Sequence, residues 1–222
     1  MPFLAVSEPG TTGRYACRAV AASTVRRVPF LVEPLLKRGS LRDQPQPTLP
    51  VYAGYALRPW TTRDAPSVKR AFDDHDIQMW HTRRLDTNAE ALAWVTSWSQ
   101  RWEAETDVSW ALVRAETDEV LGQVGLRTLF LEPAAAQMSY WLLPEARGHG
   151  LAVGGTMAVR DWAFSDLGLM RLALQHSVRN ARSCRVAVAA GFPLEGTLRR
   201  YLLHMDGLHD THVHAVTAPD VP

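Results

Sequence analysis

Apolar and polar positions alternate in "YALRPW" (Tyr55–Trp60), the pattern of a first strand with one buried face. Asp64 then stands as an N-cap with Pro66 in the first turn, predicting a helix to about Asp74. Farther along, "TNAE" (Thr87–Glu90) has capping-box spacing and opens a helix to about Glu103. Trp94, Trp98 and Trp102 recur every four residues on it; the stripe reads as core, with the wall of an acceptor pocket as the alternative. Three strand-like runs follow, "VSWALVRA", "VLGQVGLRTLFL" and "AQMSYWLL", parted by turns around Asp118 and Pro133 and suited to an antiparallel meander. Next come a helix from Gly150 to a stop at Gly168 and a strand "RLALQHS". A short helix "ARSCRVAVAA" ends at Gly191, and a last hairpin turns at Asp206-Gly207. This order predicts an α/β (α+β) fold on a mixed, mostly antiparallel sheet of seven strands. It matches neither a Rossmann nor a P-loop order.

Composition narrows the function classes. With 222 residues, 46% hydrophobic and 21% charged, the chain can bury a real core. A net charge of +1 argues against a dedicated nucleic-acid binder, and no apolar run is long enough to span a membrane. Cys17 and Cys184 lie far apart in no metal-ligand spacing, so they read as reduced thiols of a cytoplasmic protein. Charge is uneven, however. Residues 1–50 carry seven basic and three acidic side chains, against 17 and 20 in the rest. This basic segment reads as a loosely ordered leader, with an organellar transit peptide as the alternative; it lacks the plan of a secretory signal. "DQPQPTLP" (Asp43–Pro50) reads as a proline-stiffened linker. The expected division is a flexible basic leader and linker over 1–45, a folded domain over 46–219 and a tail over 220–222.

The chemistry concentrates in "PEARGHGLAVGG" (Pro144–Gly155), where a strand hands over to a helix. Arg147-Gly148-His149-Gly150-Leu151-Ala152 fits Q/R-x-x-G-x-G/A. Its glycines let the backbone bend and approach a ligand, and the helix that follows offers unpaired N–H groups to an anion such as phosphate. Farther on, Asn180 stands eleven residues before Gly191-Phe192, and "EGTLR" follows. With these motifs, the stretch from Ser139 to Arg200 resembles the GNAT superfamily of acyl-CoA N-acyltransferases, in the branch of the ribosomal-protein acetyltransferases RimJ and RimL. The resemblance extends from about Pro47 to Pro219.

That resemblance implies a GNAT fold, with helices on both faces of the sheet and a splayed coenzyme A cleft. It implies acetyl-CoA as co-substrate, no resident metal, and an amine acceptor that is a protein N-terminus or a small molecule. A homodimer is left open. The coenzyme pyrophosphate would lie on the amides of Arg147, Gly148, His149, Gly150, Leu151 and Ala152. The strand Tyr140–Leu143 would carry a bulge and pair its backbone, at Leu142 and Leu143, with the pantetheine arm. A bulge frees an N–H for the oxyanion. Asn180 would contact pantetheine, its alternative role being a simple N-cap. Trp98, Tyr140 and Trp141 are acceptor-site candidates.

The catalytic residues depart from the commonest family pattern. Many relatives place a tyrosine acid seven residues after the Asn, where this chain has Ala187. The RimL-like branch has a serine three after it, so Ser183 is the candidate acid, with a helix-start serine as the alternative. Relatives often carry a glutamate base where Gln137 stands; His176 is the titratable substitute, against the plainer reading of a hydrogen-bonded strand-end histidine. A non-catalytic acyl-CoA-binding module is the alternative to an enzyme. His204, His209, His212 and His214 crowd the last hairpin, with His212 and His214 on one face of a strand. Only Asp210 stands near to complete a zinc set, so hydrogen bonding or acceptor lining is preferred over metal. Cys184 reads as a small buried thiol rather than an acyl-carrying nucleophile.

Overall fold

The computed structural model describes residues 31–219. Its strands are β1 (Leu49–Tyr52), β2 (Tyr55–Pro59), β3 (Val108–Arg114), β4 (Val120–Phe130), β5 (Ala135–Leu142), β6 (Arg171–Ser177), β7 (Leu194–His204) and β8 (Gly207–Thr217). Helices are α1 (Ala65–Asp73), α2 (His75–Trp80), α3 (Asn88–Ala104), α4 (Leu151–Trp162) and α5 (Ala181–Ala189). All strands join one sheet in the order β1-β2-β3-β4-β5-β6-β8-β7, antiparallel except where β5 meets β6. The eighth strand, beyond the seven expected, is β1. Leu49 pairs with Leu57 and is buried, so the end of the supposed linker closes the sheet.

Helices cover both faces. Trp141 and Leu143 pack with Val68, Phe72 and Val95 of α1 and α3, whereas Val124, Met138 and Leu174 join the core under α4 and α5. The alternation of strand side chains divides the two layers. Trp102 and Trp98 are buried as the stripe predicts, and Trp102 stacks on Trp162 of α4. Thr87 and Glu90 close the capping box at the start of α3. Asp64 behaves differently from its expected role. Its carboxylate accepts from Thr61 N at 2.7 Å and pairs bidentately with Arg58, and it does not cap α1. A π turn (Ala163–Leu167) carries α4 to the expected stop, with Gly168 in the left-handed region. Among the described residues no helix is long and apolar enough to cross a membrane.

The expected boundary at residue 45 is corrected. Glu33 onward belongs to the same compact unit as the sheet. Leu36 and Leu41 are buried in the main core. Glu105, in the left-handed region after α3, is buried and accepts from Gly39 N at 2.9 Å and Leu41 N at 3.0 Å. Trp102 and Trp110 donate their indole N–H groups to the carbonyls of Gln44 and Pro47. These partners lie some 60 residues away in sequence, so composition cannot announce them. Residues 1–30 of the expected leader, Cys17 among them, and the tail 220–222 lie outside the described residues.

Candidate active site

The parallel pairing of β5 and β6 runs only from Ala135–Arg171 to Met138–Leu174. Beyond it, Ser139–Leu142 pair with β4 alone and Gln175–Ser177 with β8 alone. The two strands splay, and a cleft of about 880 Å³ opens between them. The expected bulge over Tyr140–Leu143 is absent: β5 keeps an unbroken register on β4 from Gln137 to Leu142. The irregularity falls between Arg127 and Phe130 instead, around Thr128 in the left-handed region. Free backbone groups on β5 therefore come from divergence of its neighbour. An open edge exposes alternate N–H and C=O groups to a ligand laid along it.

At the cleft mouth lies the glycine turn. Gly148 and Gly150 have φ of 84° and 72°, conformations that L side chains adopt at a cost, and a Cβ at either would meet nothing within 4 Å. Gly154 and Gly155 serve packing instead: a Cβ there would lie 2.4 Å from the Tyr52 ring and 2.8 Å from Val124. Thus two glycines shape the turn and two let α4 settle on the sheet. The first amides of α4 have no intrahelical partner, and among the described residues no side chain caps them at Gly150. Leu151 and Ala152, with Gly148 and Gly150, line the cleft.

Arg147 anchors the turn from behind. Its guanidinium donates to Leu142 O at 3.1 Å, Asp74 at 2.6 Å and Asp76 at 3.1 Å. Asp76 also takes Arg182 of α5 at 2.7 Å, so one carboxylate ties α2 to both cleft walls. Arg182 first, then Arg147, hold that carboxyl below the usual range. Sequence reading missed α2, a helix of six residues, too short for a periodic pattern. Its one signal is Asp74, whose side chain accepts from Ile77 N as an N-cap.

Deeper in the cleft, Tyr140 and Ser183 meet. The phenol oxygen lies 2.7 Å from Ser183 Oγ, and burial pushes the phenol up to about 12. Asn180 accepts from Ser183 N at 3.0 Å, so it is an N-cap of α5 as well as a cleft residue. His176 also lines the cleft; its Nδ1 lies 2.7 Å from Ser177 O, an acceptor, which places the proton there. Nε2 is then a bare lone pair, buried without a partner among the described residues. Burial first, then His214 and His212, hold His176 below the ordinary histidine range against the raising effect of the Ser177 carbonyl.

Several expected site residues lie elsewhere. The Leu143 amide donates to Leu121 O at 2.9 Å and its side chain is buried, leaving nothing for a coenzyme. His149 lines a separate, smaller pocket with Tyr55, Arg114 and Glu119. Trp98 is core, with Arg127 and Arg101 over its ring at 4.6 and 4.9 Å. Tyr140 and Trp141 do reach the cleft, as do Leu142 and Arg147. Gln137 remains in the paired part of β5, opposite Ala173, and Ala187 is fully buried. The hairpin histidines separate into two groups. His204 and His209 meet each other at a tilt and Trp80 edge-on, while His212 and His214 meet His176.

A sheet splayed at one parallel pair, with a glycine turn and an uncapped helix at the opening, defines an acyl-CoA transferase fold. The sequence model of the Acetyltransferase (GNAT) domain matches residues 55–193, and the chain belongs to that family, as one of its N-acetyltransferases. The chain is 25% identical over 164 residues to the uncharacterized N-acetyltransferase YoaA of Bacillus subtilis (strain 168), covering 73% of this chain and 93% of that one. Two solved structures share the fold. RimL, a ribosomal L7/L12 alpha-N-protein acetyltransferase in complex with coenzyme A, has a TM-score of 0.72 at 18% identity over 78% of this chain and 98% of its own. Mycobacterium smegmatis RimJ, in complex with a coenzyme A disulfide, has a TM-score of 0.70 at 24% identity over 78% and 86%. The fold is thus that of the RimJ/RimL-like members.

Proposed function

We propose that this protein transfers an acetyl group directly from acetyl-CoA to a primary amine. The observation that carries the reading is the splay of β5 from β6 beside the turn Arg147–Ala152. The pyrophosphate would rest on the amides of Gly148, Gly150, Leu151 and Ala152, where dipole and unpaired N–H groups favour an anion. Pantetheine would run along the open edge of β5 past Leu142, with Asn180 opposite. An N–H of that edge would hold the tetrahedral oxyanion.

In the reaction the amine nitrogen attacks the thioester carbon and the C–S bond breaks. One proton leaves nitrogen and one reaches sulfur. His176 Nε2 is suited to receive the first, because burial favours its neutral, accepting form. The Tyr140–Ser183 pair faces the second. A phenol at about 12 is a weaker acid than a thiol near 8.5, so the pair stabilises the departing thiolate by hydrogen bonding and does not surrender a proton outright. The sulfur takes its proton from solvent and His176 returns the one it took from nitrogen to solvent, so the protons balance over a turnover.

The acceptor we favour is the α-amino group of a protein, the activity that the name of the structurally similar RimL carries. Small-molecule amines are the second class. Acetyl-CoA turnover against a panel of N-terminal peptides and small amines tests both. Failure of every amine to be acetylated by folded, coenzyme-binding protein would overturn the reading.

A further inference from the structure

The geometry points to a transition-metal site, of the kind zinc occupies, made by His176, Cys184, His212 and His214. Their donor atoms all lie within 4.8 Å of one another. The sheet register brings the histidines together: His176 pairs with His212, and Leu174 with His214, so 176, 212 and 214 share one face. Over that face lies α5, which supplies Cys184, its Sγ 4.0 Å from His214 Nε2. None of this is visible in sequence spacing, because the four residues come from two strands and a helix.

Hydrogen bonding readies the donors. His214 Nδ1 lies 2.9 Å from the Phe192 carbonyl and His176 Nδ1 lies 2.7 Å from that of Ser177. A carbonyl can only accept, so both rings carry the proton on Nδ1 and turn Nε2 inward as a lone pair. Fixing the tautomer through a backbone carbonyl is how ligating histidines are commonly oriented. His176 Nε2 and His212 Nδ1 are buried with no partner among the described residues, and the His176 and His214 residues are only 4% and 1% exposed. Buried ring nitrogens left unsatisfied call for an explanation, and a shared cation supplies one for both.

The donor set chooses the ion. Three imidazoles and a thiolate with no carboxylate disfavour calcium, magnesium and manganese, and they suit tetrahedral zinc or cobalt. Bond lengths of about 2.0–2.3 Å put tetrahedral ligands roughly 3.3–3.8 Å apart, so the array must draw in by about 1 Å at its widest. Coordination releases the Cys184 thiol proton to solvent and changes no oxidation state. Four protein ligands leave no open position, which makes this a closed site rather than a Lewis-acid centre. It would also consume the Nε2 lone pair of His176. Occupancy would therefore inhibit acetyl transfer, a consequence that rests on the proposed role of His176.

The test titrates reduced, chelator-treated full-length protein with cobalt(II). Expected are the visible bands of tetrahedral cobalt, a thiolate-to-cobalt charge-transfer band, saturation at one equivalent and displacement by zinc. Cys184→Ser should erase the charge-transfer band and weaken zinc by more than the ~10–100-fold that loss of a supporting hydrogen bond costs. His212→Gln, checked for folding by circular dichroism, should weaken it as well. Folded wild-type protein that gives no tetrahedral spectrum, or a spectrum unchanged by Cys184→Ser, overturns the site even if the enzyme acetylates amines. Zinc binding that leaves turnover intact upholds the site and removes His176 as base.

Discussion

The two walls of the cleft are built in opposite ways. The wall at Arg147–Ala152 is local: two left-handed glycines and an uncapped helix start, all within six residues, shape the expected anion site. The wall formed by β6, β8, α5 and α2 is assembled. Ser183 meets Tyr140 across 43 residues, His176 meets His212 across a ladder, and Arg182 meets Asp76 across 106. A local wall is specified by backbone conformation, so single residues should change its binding with little effect on the fold. An assembled wall depends on register and packing, so its changes should spread into stability and rate.

The largest expected effect is on the local wall. Gly150→Val should fold, because its Cβ meets no protein atom, while strain at φ 72° costs roughly 1–2 kcal/mol. It should nonetheless lose coenzyme A affinity by about 100-fold or more, since the side chain enters the space an anion would take. Gly154→Val is the contrast: its Cβ meets Tyr52 at 2.4 Å, so stability should fall. Calorimetric titration and urea melts of the two variants test the division. Undiminished affinity in folded Gly150→Val would break it.

Next comes the assembled wall. Ser183→Ala should lower kcat by roughly ten- to a thousand-fold with coenzyme A affinity nearly intact, because the hydroxyl matters as charge develops on sulfur. Tyr140→Phe should show part of that loss, since the phenol orients Ser183 at 2.7 Å. Equal rates in all three proteins would leave catalysis to positioning and the β5 edge.

The same contrast explains what could be read from the sequence. The capping box at Thr87, the stop at Gly168 and the turn glycines are local instructions, and they appear where their residues predict. The strands after Val108 were legible as strand-like runs bounded by turn residues. Hidden were β1, a four-residue strand inside a proline-rich stretch that pairs with its neighbour β2, and α2 and the docking of residues 33–45, which are tied down by distant side chains. At the site, family motifs pointed to Ser183 and Asn180, but the Tyr140 contact requires the strand order. Leu143 and His149 sit inside the motif yet do not line the cleft: Leu143 is spent on the core and His149 lines a separate pocket.

Glu105 measures the assembled part in energetic terms. Its carboxylate accepts charge-assisted bonds from Gly39 and Leu41 N–H groups, each worth about 1.5–3 kcal/mol. Glu105→Ala should lower stability by roughly 2–4 kcal/mol in urea unfolding, and deletion of residues 31–45 by more, since Leu36 and Leu41 leave the core. Unchanged stability on that deletion would restore the linker reading.

The smallest effect is a pH dependence confined to the assembled wall. His81, just past α2, lines the cleft beside Phe72. Burial, followed by Arg127 and His204, holds its imidazole down at about 4, against roughly 6.5 in an unfolded chain. The fold therefore demands the neutral ring. Above pH 6.5 both states are neutral and stability is whole; as pH falls from 6.5 toward 4, only the unfolded chain gains the proton and stability is lost. His204, lowered first by burial and then by His209, acts in the same direction. Because the His81 ring keeps some exposure, its share should be about 1–2 kcal/mol, less than the full shift implies. His81→Phe keeps the aromatic contact with Phe72 and removes the titration, so its unfolding free energy should fall less between pH 7.5 and 5 than that of the wild type. Coenzyme binding at the glycine turn, which depends on backbone amides, should be the same in both proteins across that range. Identical pH slopes of stability would separate His81 from the packing of this wall.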